Sequence, residues 1–140
     1  LAEGHGPLRL VLEDLRSVAL ALDTDDEATG LASLREVAAL ISEEVVPHER
    51  EDESQVYPSV AERLGGSDPL ASMSRTHQEI FHLASLLDRL VDDASADGFG
   101  EEDRSEARRI LYALDAILRL HFAQEEELLA SLAIDGPPHP

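Results

Sequence analysis

Apolar residues recur along this chain at three- and four-residue intervals in four separate stretches, each bounded by turn-forming or strongly polar residues, which is the period of amphipathic helices. The first stripe is Leu8, Val11, Leu12, Leu15, Val18 and Leu22, with Pro7 suited to the first helical position and Asp23-Thr24-Asp25-Asp26 as a polar exit. The second runs Leu34, Ala38, Ile41, Val45, His48, Asp52 and Val56 and stops at Gly65-Gly66. Pro47 and Pro58 lie inside it without backbone donors and predict a bend at one of them. The third opens at Ser67-Asp68-Pro69, a helix start, and holds Leu70, Met73, His77, Ile80, Phe81, Ala84, Leu87 and Val91 in a nearly regular heptad. After the loop around Asp97-Gly98-Phe99-Gly100, the acidic Glu101-Glu102-Asp103 favours a new N-terminus, and Ile110, Leu114, Ile117, His121, Glu125, Leu128 and Leu132 share one face. Four such helices with short connections predict an all-α, antiparallel up-down-up-down four-helix bundle over residues 1–134, with a Pro-rich tail over 135–140.

Polar residues stand on the stripes that should be core. His48 is followed four residues later by Asp52, and His121 by Glu125, so each pair directs a nitrogen and an oxygen to one side of its helix. Counted at about 1.5 Å per residue from the turns, His5, His48, Asp52, His77, His121 and Glu125 reach the same depth. A carboxylate facing a core without a partner costs several kcal/mol or changes its protonation state, and a bound cation removes that cost. Imidazole and carboxylate without sulfur suit iron, manganese or zinc. Six candidates exceed one four-coordinate zinc, and two bridging carboxylates with histidines around them point to a dinuclear iron centre.

Other residues are weighed against ordinary roles. Glu49, next to His48, can reach the site only from the flank, so a solvated and a ligating role are equally open; Glu53 and Glu126 read as surface charge. His82 lies about 140° around its helix from His77 and is read as a surface residue, as is His139. Tyr57 and Tyr112 fall off the core stripes, leaving phenolate ligation a minor alternative. Leu12, Val45, Phe81, Ile117 and Leu118 are expected to wall the site. A ferritin-like pattern of Glu-x-x-His is rejected, because only Glu79-Ile80-Phe81-His82 has that spacing and its histidine faces away.

Composition narrows the classes further. The 140 residues suit one domain, and a net charge of −19 repels nucleic-acid phosphates and anionic membranes, so neither is expected as a partner. The absence of cysteine removes disulfides and thiolate sites. All eleven basic residues are Arg, with no Lys or Asn, which suggests GC-rich bacterial coding. No apolar run is long enough to span a bilayer and no signal segment opens the chain, so a cytoplasmic protein is expected, although the first residue is Leu1.

The motifs His48-Glu49-Arg50-Glu51-Asp52, leading into Val56-Tyr57-Pro58, and His121-Phe122-Ala123-Gln124-Glu125 resemble the hemerythrin-like, or HHE cation-binding, family, as do His5 before Pro7-Leu8-Arg9 and His77-Gln78-Glu79-Ile80. The resemblance covers essentially the whole chain. It implies His5, His48, His77 and His121 as terminal ligands of two oxo- or hydroxo-bridged iron ions, with Asp52 and Glu125 as bridges. Three departures stand out. Asp52 replaces the usual Glu, Phe81 replaces a second histidine one turn after His77 so that one iron is short of a nitrogen or takes Glu49 instead, and Gly4-His5-Gly6-Pro7 puts His5 at the edge of its helix. A carboxylate-richer shell favours the ferric state over reversible O₂ carriage. The expected function is that of a di-iron protein handling small oxidants (peroxide, O₂ or nitric oxide), with catalase-like peroxide dismutation first. A binding or sensing module without turnover and a metal-free structural bundle are the alternatives.

Overall fold

The computed structural model describes residues 6–65 and 70–135, with side chains through residue 132. His5, the Ser67-Asp68-Pro69 helix start, His139 and nearly all of the Pro-rich tail lie outside the described residues. Those that are described form four helices, with no strand among them. Helix α1 is Gly6–Ala21, α2 is a continuous helical run over 27–64, α3 is Ala71–Asp97 and α4 is Glu101–Asp135. Helix α1 packs on α2 and α4, and α3 packs on the same two, so the four enclose a common core. Bonds between α1 and α4 join Arg9 to Glu126, Arg16 to Asp115 and Asp23, just beyond α1, to Arg108. Bonds between α2 and α3 join Arg35 to Ser95, Ser42 to Asp88 and Glu53 to Ser74. In both sets the partner's number falls as the first number rises. No helix among the described residues is long and apolar enough to cross a membrane.

Helix α2 begins where the Asp26 side chain accepts from the Thr29 N–H at 2.8 Å, and it ends at Gly65, whose φ of +80° is the left-handed conformation glycine tolerates. Two π-helical turns interrupt it, Ile41–Val45 and Asp52–Val56, closed by the Val46 N–H on the Ile41 carbonyl and the Tyr57 N–H on the Asp52 carbonyl. Each closing residue directly precedes a proline, Pro47 or Pro58. A proline ring crowds the carbonyl four residues back and offers no N–H, and a wider turn carries the chain past that obstruction. The disturbance expected at one proline therefore occurs at both.

The larger core contains Leu15, Leu22, Leu34, Leu87, Leu111 and Leu114, all fully buried. Phe99, placed by its sequence in a loop, is buried there too, at 1% exposure. Its N–H donates to Glu27 at 2.6 Å, while Arg104 donates to the carbonyls of Leu22 at 2.6 Å and Asp25 at 2.7 Å. Burying such a side chain contributes about 1.5–3 kcal/mol, so this loop is a plug for its end of the bundle. A smaller apolar cluster, Tyr57, Val60, Leu70 and Met73, is flanked by Leu128, Leu129 and Leu132. Along α2, α3 and α4 the stretch between these two clusters is polar.

Candidate metal centre

Helix α2 contributes Glu49 and Asp52 to that stretch, α3 contributes His77, and α4 contributes His121 and Glu125; all five are buried. His48 stands beside them with its side chain 19% exposed. The Nε2 atoms of His77 and His121 are 3.0 Å apart, and Glu49 Oε2 lies 2.6 Å from the first and 2.8 Å from the second. Glu125 Oε2 is 3.5 Å from His121 Nε2, and His48 Nε2 is 3.4 Å from Asp52 Oδ2. Two overlapping groups result, Glu49-His77-His121-Glu125 and His48-Glu49-Asp52-Glu125, with donor atoms in each lying within 4.8 Å of one another.

The separations of 3.0, 3.4 and 3.5 Å are close to those of donors around one metal ion, while the 2.6 and 2.8 Å contacts of Glu49 are hydrogen-bond distances that a bound ion would lengthen. Bonds of about 2.1 Å set neighbouring donors roughly 3.0–3.4 Å apart at octahedral or tetrahedral angles. Glu49 Oε1 is buried with no hydrogen-bond partner among the described residues, and a second metal ion would give that oxygen one. Both groups contain nitrogen and oxygen donors only, a set suited to iron, manganese or zinc.

The electrostatics point the same way. Burial, reinforced by the nearby Glu125 carboxylate, pushes Asp52 up to about 8, so without a cation it keeps its proton at neutral pH. Burial also opposes ionisation of Glu49, but hydrogen bonds from His121 and His77 outweigh it and hold that carboxyl below its ordinary value. For His77 burial disfavours the charged ring, yet Glu49 and then Glu53 overcome this and raise its pKa. A divalent cation would replace the protons now balancing these carboxylates.

The structure alters three readings of α2. Glu49 is at 0% exposure in the middle of the cluster rather than on its flank, and it belongs to both donor groups, whereas Asp52 belongs to one. Between Val45 and Asp52, both buried, the helical period returns to the core at residue 49, leaving His48 at the rim. Tyr57 is buried in the site, not off the stripe. The π turn after Asp52 adds a residue, so the buried position passes from Val56 to Tyr57. Its hydroxyl donates to Glu125 Oε2 at 2.6 Å and lies 3.1 Å from His77 Nε2, while its ring stacks on His77 at 4.9 Å. Burial and the adjacent Glu125 raise the phenol's pKa, so it stays protonated. The third is Glu53, which is half-buried and bonded to His77 Nδ1 at 3.2 Å rather than a free surface charge. The prolines were the available signal for the Tyr57 shift; nothing comparable marked Glu53.

Leu12, Val45 and Leu118 are buried, while Phe81 and Ile117 are partly exposed. Arg50 lies over the Phe81 ring at 4.6 Å. His82 and Tyr112 are exposed, and Glu126 pairs with Arg9. A void of about 10 Å³, room for one water-sized molecule, is lined by the polar Asp52, Tyr57 and Glu125 and by the apolar Val56, Val60, Met73, Leu128 and Leu129.

A family model, the hemerythrin HHE cation binding domain, matches residues 1–133 of the chain. Comparison with curated proteins and with solved structures gave no match.

Proposed function

The chain belongs to the hemerythrin HHE cation-binding domain family, and from that premise we propose that it is a non-haem di-iron protein that turns over small oxidants, with peroxide dismutation as its reaction. The observation that carries the reading is the pair of overlapping donor groups sharing Glu49 and Glu125. His77 and His121 would hold one iron and His48 and Asp52 the other, with Glu49 and Glu125, common to both groups, available to both ions. Glu49 would thus take the bridging place that the family resemblance gave to Asp52, while His5, a ligand by that resemblance, lies outside the described residues. The reversed order of the α1–α4 and α2–α3 bonds supports an antiparallel up-down-up-down bundle around this centre.

Bound iron would supply one-electron redox changes at two adjacent centres. In dismutation one peroxide gives up two electrons and two protons to become O₂, and a second accepts them to become two waters. The protein's part is to admit a small molecule and hold protons beside it. Tyr57 carries its proton on Oη, donates it toward Glu125 and lines the void together with the apolar Val56, Val60, Met73, Leu128 and Leu129.

The test is oxygen evolution from peroxide by iron-loaded protein without added reductant. Many turnovers at a rate proportional to bound iron support the enzyme. A single consumption per centre, with a changed spectrum and no sustained gas release, moves the reading to binding or sensing of O₂ or nitric oxide, which the small and mainly apolar void also suits.

A further inference from the structure

His77 is gripped at both ring nitrogens by carboxylates one helical turn apart on α2. Its Nε2 faces Glu49 at 2.6 Å inside the cluster, and its Nδ1 faces Glu53 Oε1 at 3.2 Å. The other oxygen of Glu53 accepts from Ser74 Oγ at 2.8 Å, and Ser74 precedes His77 by three residues on α3, so the carboxylate is tied to the helix that bears the imidazole. His121 has no such support: its Nδ1 is buried with no hydrogen-bond partner among the described residues.

We infer that Glu53 is the positioning residue of His77, the side chain that fixes which nitrogen is offered to the metal; the inference rests on the di-iron reading of the same site. A neutral imidazole carries one N–H and one lone pair. With Nδ1–H donating to Glu53, a metal that displaces the proton between Nε2 and Glu49 would meet the lone pair on Nε2, the nitrogen that points at Glu49 and His121. An anionic acceptor behind the ring also makes Nε2 a stronger donor, which favours the higher oxidation state of a bound iron. Glu53 is 35% exposed and lines, with Ser74, Tyr57 and Pro58, a surface groove of about 440 Å³ between α2 and α3. It is therefore the charged link between His77 and solvent.

The experiment compares wild type with Glu53→Gln, Glu53→Ala and Ser74→Ala, after circular dichroism confirms helical content. Glu53→Ala should lower iron affinity about 10–100-fold and shift the reduction potential of the loaded centre to more positive values. Glu53→Gln retains an oxygen acceptor and should keep most of the affinity while still shifting the potential, and Ser74→Ala should have the smallest effect. If Glu53→Ala does not fold, Glu53→Gln carries the test through the potential. In metal-free Glu49→Ala protein at alkaline pH, where the ring is neutral and no Glu49 carboxylate competes for Nε2–H, long-range proton–nitrogen NMR should find His77 as the Nδ1–H tautomer, and a mixture once Glu53→Ala is added. Wild-type affinity and potential in the Glu53 variants, or an Nε2–H tautomer in the Glu49→Ala protein that retains Glu53, overturn the inference. A wild type that retains no iron overturns the di-iron reading instead, and the tautomer measurement then decides separately whether Glu53 sets His77.

Discussion

Two neighbouring regions of this bundle's interior are built from opposite materials. Toward the Phe99 loop the interior is Leu22, Leu34, Leu87, Leu111 and Leu114 with a phenylalanine plug, and every one of these groups gains by leaving water. Toward the other end, Glu49, Asp52 and Glu125 share one interior with His77 and His121, and burying such charges costs free energy unless something compensates. The compensation present is a raised proton affinity at Asp52 and His77 and short bonds among Glu49, Tyr57 and the imidazoles. The leucine region can hold the fold without a ligand, and the carboxylate region is the part whose stability depends on one.

The sharpest break of that contrast is Leu114→Ala. It should cost about 2–5 kcal/mol in chemical denaturation, because the site is fully buried, and the loss should be the same with and without metal. A metal-dependent loss would show that the two regions are not separable.

Next in size are Glu49→Ala and Glu125→Ala. Metal at 100 times its Kd should stabilise wild type by about 2.7 kcal/mol, and both variants should lose that gain, read as a Tm that no longer responds to added metal.

The pH dependence of the metal-free protein should have a definite sign. Asp52 keeps its proton in the folded state up to about 8, against an ordinary value of 3.8, so the folded state binds more protons between those limits and stability falls as pH rises. His77, raised above 6.5, adds to the fall through neutrality, while Glu49, held below 4.5, acts only on the acid side. Denaturation midpoints at pH 5 and pH 8 measure the slope. Asp52→Asn should flatten it, and an unchanged slope would mean that Asp52 is not the group retaining the proton.

The smallest effect belongs to His82→Ala, expected to change stability by less than about 0.5 kcal/mol and to leave metal binding intact, because the side chain is exposed. His77→Ala, only five residues away, should abolish the metal response. Equal behaviour of the two would overturn the assignment of faces on α3.

Periodicity by itself determined the four helices and the buried faces of α1, α3 and α4, because an uninterrupted helix brings every third or fourth residue to the same side whatever it packs against. On those terms His77, His121 and Glu125 belong to the interior, and each is buried. Helix α2 broke the rule. Its π turns before Pro47 and Pro58 change the residue count per turn, so Tyr57 takes the place that even spacing gave to Val56, while Glu49 is drawn inward and His48 is left at the rim. Glu53 and Phe99 were decided later still. A half-exposed carboxylate acquires its role from the histidine and serine that α3 sets against it, and a loop phenylalanine is buried only because the helix ends leave a space of its size; neither condition is local to the chain around them.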